Sequence, residues 1–230
     1  MNILYYHYYC TDLSYDILHC TLNEIKRSGL YDNLQTITIN IVGENDKDHL
    51  QKIENDLLPS FNKLHLTKYR SEKLQQYVST FSDLEIKQNH RLSIGDHGME
   101  LDTLKYLYEH ISSNNLKCNV LYLHGKGSVN TGLHKGKGLN RKEWREEMSK
   151  YIIQNWRKCV ANLKTQPHDG TNFSHDHYSG NFWWATTKHI KSNQCPIDYA
   201  KSNKLSKCKL RQSPYYSAEF WLLSQQTGED

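Results

Sequence analysis

Cys118-Asn-Val-Leu-Tyr-Leu-His-Gly-Lys-Gly127 is a short run with almost no polar interruption, closed by a histidine and then by glycines around a lysine. A run of that length without alternation is the pattern of a strand covered on both faces, a central strand of a parallel sheet. The segments before it alternate strand and helix. Asn2 to Tyr8 is apolar and aromatic, and Leu18, Leu22 and Ile25 mark a helix from Tyr15 to Ser28 that Gly29 ends as a C-cap. Thr36 to Val42 alternates through Ile37, Ile39 and Ile41, and Leu50, Ile53 and Leu57 form one helix face that stops before Pro59. Asn62 to Arg70 alternates weakly as a third strand, the stretch through His90 is polar and without period, and Leu101, Leu104, Tyr108 and Ile111 predict a helix from Glu100 to Ser112. This order predicts an α/β fold, a mostly parallel central sheet flanked by helices on both faces, with ligands beyond the carboxyl ends of the strands.

Downstream, the loop His124-Gly-Lys-Gly-Ser-Val-Asn-Thr-Gly-Leu-His-Lys-Gly-Lys-Gly138 is rich in glycine and lysine. From Asn140, a plausible N-cap, the apolar stripe Trp144, Met148, Ile152, Trp156, Cys159 and Leu163 predicts one long amphipathic helix, with Pro167 beyond its end. After His168-Asp-Gly-Thr-Asn-Phe-Ser-His-Asp-His-Tyr-Ser-Gly-Asn-Phe-Trp-Trp184 comes a helix near Thr186 to Lys191, a lysine-rich connector, and Ser217-Ala-Glu-Phe-Trp-Leu-Leu223. Neither a repeat nor a linker divides the chain, so one domain spanning 1–230 is expected.

Composition narrows the class of protein. With 37% hydrophobic and 23% charged residues, the chain has enough apolar material to fold. No apolar run approaches the ~18 residues of a membrane helix, and the start lacks a basic n-region. Cys10, Cys20, Cys118, Cys159, Cys195 and Cys208 are scattered without a CxxC pair, which suits reduced and mostly buried residues. A cytoplasmic location is the expectation. A net charge of +4 is too small to argue for a dedicated nucleic-acid partner. Tyrosine is the anomaly, 16 against 5 Phe and 5 Trp, and its flat face with a polar tip suits cleft walls as well as cores.

Four places carry candidate chemistry. In the loop after the central strand, glycine amides can approach phosphate oxygens, Lys126 can offset their charge, and Lys135, Lys137, Arg141 and Lys142 extend the positive ground; a solvated surface loop is the plainer alternative. His168, Asp169, His175, Asp176 and His177 are the densest set of metal-capable side chains, though without HExxH or CxxC spacing. Asp96, Glu100 and Asp102 surround a helix start, where acids complement the helix dipole or bind sugar hydroxyls or a cation. Glu219 lies between large apolar neighbours, where an acid is used or paired.

Tyr122-Leu-His-Gly-Lys-Gly127, Trp144-Arg145 with Met148, His177-Tyr-Ser-Gly-Asn-Phe-Trp-Trp-Ala185 and Ala218-Glu-Phe-Trp221 resemble, in order and spacing, a group of small viral and bacterial glycosyltransferase domains of the GT-A type, which are Rossmann-like. Ser28-Gly-Leu-Tyr-Asp32 and Val42-Gly43 look similar too. The resemblance implies transfer of a sugar from a nucleotide-sugar donor, UDP-linked first among the options, to a glycan or other hydroxyl acceptor. It implies that Tyr5 and His7, at the end of the first strand, border the base, and that Ser179, Gly180 and Asn181 form a small-residue floor under the donor sugar. Trp183 or Trp184 would stack on a pyranose face, and Glu219 would stand in the late acidic motif. His124, Lys126 and Gly127 occupy the slot where such enzymes place an Asp-x-Asp pair on a divalent cation, Mn2+ or Mg2+. With that pair absent, the ion falls to Asp96 or Glu100 with help from His177, or Lys126 replaces part of its charge. For an inverting reaction the base candidates are Glu219 and then Asp176; a retaining one needs none, and the sequence leaves both open. Two other classes stand beside this one: a metal-dependent hydrolase on His168, His175 and His177, and a non-catalytic glycan- or nucleic-acid-binding module using lysines and tyrosines.

Overall fold

The structure is a computed structural model that describes residues 1–43, 46–69, 100–125, 141–174, 177–202 and 214–225. A six-stranded sheet organises it, built from β1 (Asn2–Tyr9), β2 (Leu34–Val42), β3 (Leu64–Thr67), β4 (Asn119–His124), β5 (His168–Gly170) and β8 (Trp183–Thr186) in the order β3-β2-β1-β4-β8-β5. The first four in that order run parallel. β8 runs against both β4 and β5, so the expected mostly parallel, Rossmann-like α/β architecture holds, with one reversed strand inside it. A second, two-stranded sheet pairs β6 (Phe173–Ser174) with β7 (His177–Tyr178).

Alternation within the strands divides the apolar residues between two cores. Leu4, Tyr6 and Tyr8 of β1, Leu121 and Leu123 of β4 and Trp184 of β8 face one side. There they meet α1 (Ser14–Arg27), α3 (Asp46–Asp56), α5 (Arg141–Ser149) and α6 (Trp156–Asn162), through Leu18, Leu22, Ile53, Met148 and Trp156. Ile3, Tyr5, Val120, Tyr122, Trp183 and Ala185 face the other. They meet α4 (Glu100–Ser113), α7 (Thr187–Ser192), α8 (Pro196–Ser202), α9 (Pro214–Phe220) and the 3-10 turn Trp221–Leu223. The short α2 (Leu30–Asn33) begins after Gly29, whose φ of 72° is the left-handed geometry that ends α1.

Several expectations change in detail. The third strand contracts to the four residues of β3. The long helix after the glycine loop is broken: α5 gives way to a π turn, Lys150–Gln154, before α6 resumes. A π turn adds a residue to the helical circuit and re-aims the helix beyond it, and here it sets the Tyr151 hydroxyl 3.1 Å from Asp169. Asn140, its expected N-cap, lies outside the described residues. The lysine-rich connector begins with α8. Among the described cysteines, which are thiols rather than disulfides, only Cys159 is buried; Cys10, Cys118 and Cys195 are half-buried and Cys20 is exposed, against the expectation of a mostly buried set.

Candidate functional site

At the carboxyl ends of the parallel strands the second face turns from aromatic to polar. Asn40 of β2, His7 of β1 and His124 of β4 are register partners in one row across three strands, on the side that α4 covers. One step down, the row Thr38, Tyr5, Tyr122 and Trp183 is buried, with the Tyr122 and Trp183 rings stacked at 5.0 Å.

Side chains from four elements tie the polar row together. Asn40 donates from Nδ2 to Thr103 Oγ1 at 2.9 Å, and Thr103 shares a hydrogen bond of 2.8 Å with His7 Nδ1. Asn40 also accepts from the Tyr69 amide at 2.8 Å, fixing the chain just past β3 to the sheet. On the β4 side His124 donates from Nε2 to the Gly180 carbonyl at 2.6 Å. That bond assigns the proton to Nε2 in the neutral ring, because a carbonyl can only accept. The next residue, Asn181, joins three elements: Nδ2 donates to Glu100 Oε1 at 2.6 Å and to the Ala218 carbonyl at 3.2 Å, while Oδ1 accepts from Trp183 Nε1 at 2.8 Å. Gly180 and Asn181 both take left-handed backbone geometry, φ 69° and 54°. Glycine tolerates it freely, and asparagine better than most residues.

Electrostatics follow burial. His7, 6% exposed, is held down to about 4, first by desolvation; the Glu100 carboxylate opposes that shift and His124 adds to it. His7 is therefore a neutral imidazole near neutrality. Burial, and then the neighbouring Glu100 carboxylate, push the Tyr122 hydroxyl well above its ordinary range. Glu100 is half-buried in the first turn of α4, among Asn181, Tyr122 and His7.

The structure thus brings His7, Glu100, His124, Gly180 and Asn181 together, with Ser179 half-buried at the start of the same turn. Glu219 is half-buried in α9, one residue beyond the Ala218 carbonyl that Asn181 holds. Asp96, Lys126, Gly127, His175 and Asp176 lie outside the described residues. Tyr5 is not at the end of β1 but in its middle, 1% exposed, its hydroxyl sharing a 2.6 Å hydrogen bond with His110. Trp184 is a core residue on the opposite face, donating from Nε1 to the Ile152 carbonyl at 3.0 Å, and Trp183 is equally buried. Neither indole face is open to a pyranose, because strand alternation sends one into each core.

The histidine cluster disperses. His168 shares a 2.8 Å hydrogen bond with the Tyr178 hydroxyl and lies against His189, whereas the His177 ring packs on Phe220. Asp169 accepts from Tyr151, Asn162 and its neighbouring Gly170 amide. Among the described residues no three His, Cys, Asp or Glu side chains converge as a cation cage, and His124 commits Nε2 to Gly180. Sequence reasoning missed Asn40, Thr103 and Tyr122; the signal for Asn40 was a polar residue between Ile39 and Ile41 in an otherwise apolar strand.

A family model described as domain of unknown function (DUF8361) matches residues 47–226. No curated protein and no solved structure matches the chain.

Proposed function

The chain belongs to the DUF8361 family, and we propose that it is a glycosyltransferase that moves a sugar from a nucleotide-sugar donor, UDP-linked first among the options, to a hydroxyl on a glycan or other acceptor. The observation that carries the reading is the polar row Asn40, His7 and His124 at the carboxyl ends of three parallel strands, faced by Glu100 and by the turn Ser179–Asn181. In sheets of this type ligands bind at that end. A neutral His7 beside a carboxylate suits hydroxyl-rich ligands: a neutral imidazole carries one donor and one acceptor nitrogen, and the carboxylate accepts. The sequence resemblance in Tyr122–Gly127 and His177–Ala185 adds to this, since both motifs meet at the His124–Gly180 hydrogen bond.

In the proposed reaction the bond from the anomeric carbon to the diphosphate oxygen breaks as the acceptor oxygen bonds to that carbon. The leaving diphosphate takes the electron pair, and the acceptor proton passes to a base. Glu219 is the described candidate for that base in an inverting reaction. The glycine-lysine loop that begins at Gly125 is the proposed seat of the diphosphate. No step is assigned to a metal ion.

Isothermal titration with UDP, GDP and dTDP and their sugars, with and without Mn2+, tests the reading. Binding of one nucleotide, followed by sugar release or transfer, is expected; failure to bind any of them removes it.

A further inference from the structure

The resemblance makes Asn181 a contact to the donor sugar, but its surroundings argue for a different role. It is 1% exposed, and its amide already makes three hydrogen bonds: two given, to Glu100 and to the Ala218 carbonyl, and one taken, from Trp183. A primary amide has two N–H donors and one carbonyl oxygen, so its donor capacity is fully committed within the protein. It also stands in left-handed geometry at the end of the turn Ser179–Asn181, two residues before β8. A side chain so committed cannot adjust to a ligand, yet it can fix whatever it holds.

What it holds is a carboxylate. Glu100 is half-buried in the first turn of α4, where the helix end favours negative charge. Asn181 gives one hydrogen bond to Oε1, and the Tyr122 hydroxyl neighbours the same group. A carboxylate has two oxygens and about four acceptor positions, so a bond from Asn181 to one oxygen orients the whole group. His7, neutral and tied to Thr103, stands beside it as a second polar group of fixed orientation.

We infer that Asn181 is a positioning residue, not a donor contact, and that it locks Glu100 as the carboxylate that accepts a hydrogen bond from a hydroxyl of the transferred sugar. The inference rests on the glycosyltransferase reading and goes beyond it by assigning which carboxylate reads the sugar and what holds that carboxylate in place.

Exchanging the pair tests this. Asn181→Asp keeps an acceptor for Trp183 but sets two carboxylates against each other; Glu100→Gln removes the charge. In the combined variant N181D/E100Q the amide introduced on α4 can donate to the carboxylate introduced before β8, restoring the bond in reverse. Thermal melting is expected to fall for N181D and to recover in the combined variant, and melting temperatures that simply add would overturn the pairing. Turnover of the nucleotide sugar is expected to fall about 10²-fold in N181D, in E100Q and in the combined variant, because each leaves the carboxylate absent or misplaced. Affinity for the nucleoside diphosphate alone, which has no sugar hydroxyl to transfer, should stay at the wild-type value in all three. Wild-type turnover in the combined variant, or equal loss of nucleotide and nucleotide-sugar binding, would show a purely structural pair and overturn the inference. A wild-type protein that binds no nucleotide at all would instead remove the glycosyltransferase reading, and the assignment of Glu100 with it, while leaving the melting result intact.

Discussion

His168 and His189 show what a buried imidazole does to this fold. Their rings lie 4.8 Å apart; His168 shares its bond with Tyr178, and His189 donates from Nε2 to the Leu222 carbonyl, so the pair fastens the 3-10 turn Trp221–Leu223 to the sheet edge. Burial, reinforced by the facing His189, lowers His168 from 6.5 to about 4, and burial lowers His189 as well. The folded state therefore binds fewer protons than the unfolded chain within that window. The stabilisation is complete above pH 6.5 and is lost as the pH falls towards about 4. A shift of that size corresponds to about 3 kcal/mol for His168. Urea unfolding across that pH range should show stability falling with acid, and His168→Gln should make the fall shallower, His7 and His189 keeping the remainder; an unchanged slope in the variant would remove His168 as one of its sources. Neither histidine was legible as a structural residue, because spacing cannot tell an imidazole that packs from one that binds, and only the Tyr178 and Leu222 partners decide it.

Elements here are locked by close approaches that periodicity does not carry. The Tyr178 ring of β7 packs against Gly170 of β5, so that a Cβ at Gly170 would come within 2.5 Å of the ring. Gly170→Ala should push the β6–β7 hairpin off the sheet edge and destabilise the protein by about 2 kcal/mol, read as a lowered urea midpoint; a variant as stable as wild type would mean that the ring moves without cost. The strands and helices of the first half were readable because their apolar spacing is regular: Ile37, Ile39 and Ile41 of β2, and Leu18, Leu22 and Ile25 of α1, all reach the core. The π turn was not, since Trp144, Met148, Ile152, Trp156 and Cys159 keep a spacing of three to four residues straight through it. Nor was the reversal of β8, because strand direction depends on a partner that pattern alone does not name.

Across the whole molecule, one sheet separates two apolar layers, and β4 sits in its middle, hydrogen-bonded to β1 on one side and β8 on the other. Leu121 is fully buried there, so Leu121→Ala should lower the unfolding free energy by about 3 kcal/mol. Denaturant titration would check it, and a loss of under about 1 kcal/mol would mean that the layer collapses around the gap. The site was legible in part for the same architectural reason. A central strand ending in His124 pointed to the carboxyl edge of the sheet, where His7, Glu100, Gly180 and Asn181 gather. Trp184 and Tyr5 were misplaced, because a motif preserves order along the chain but not the side of the sheet on which a residue falls. The reversal of β8 carries a further consequence. The chain enters the sheet beside the polar row, through Gly180 and Asn181, and its first two strand residues are indoles bound for opposite layers. One residue gained or lost just before Trp183 would swap those indoles and draw the amide away from Glu100 in the same stroke. The number of residues between Tyr178 and Trp183 is thus fixed by both layers at once.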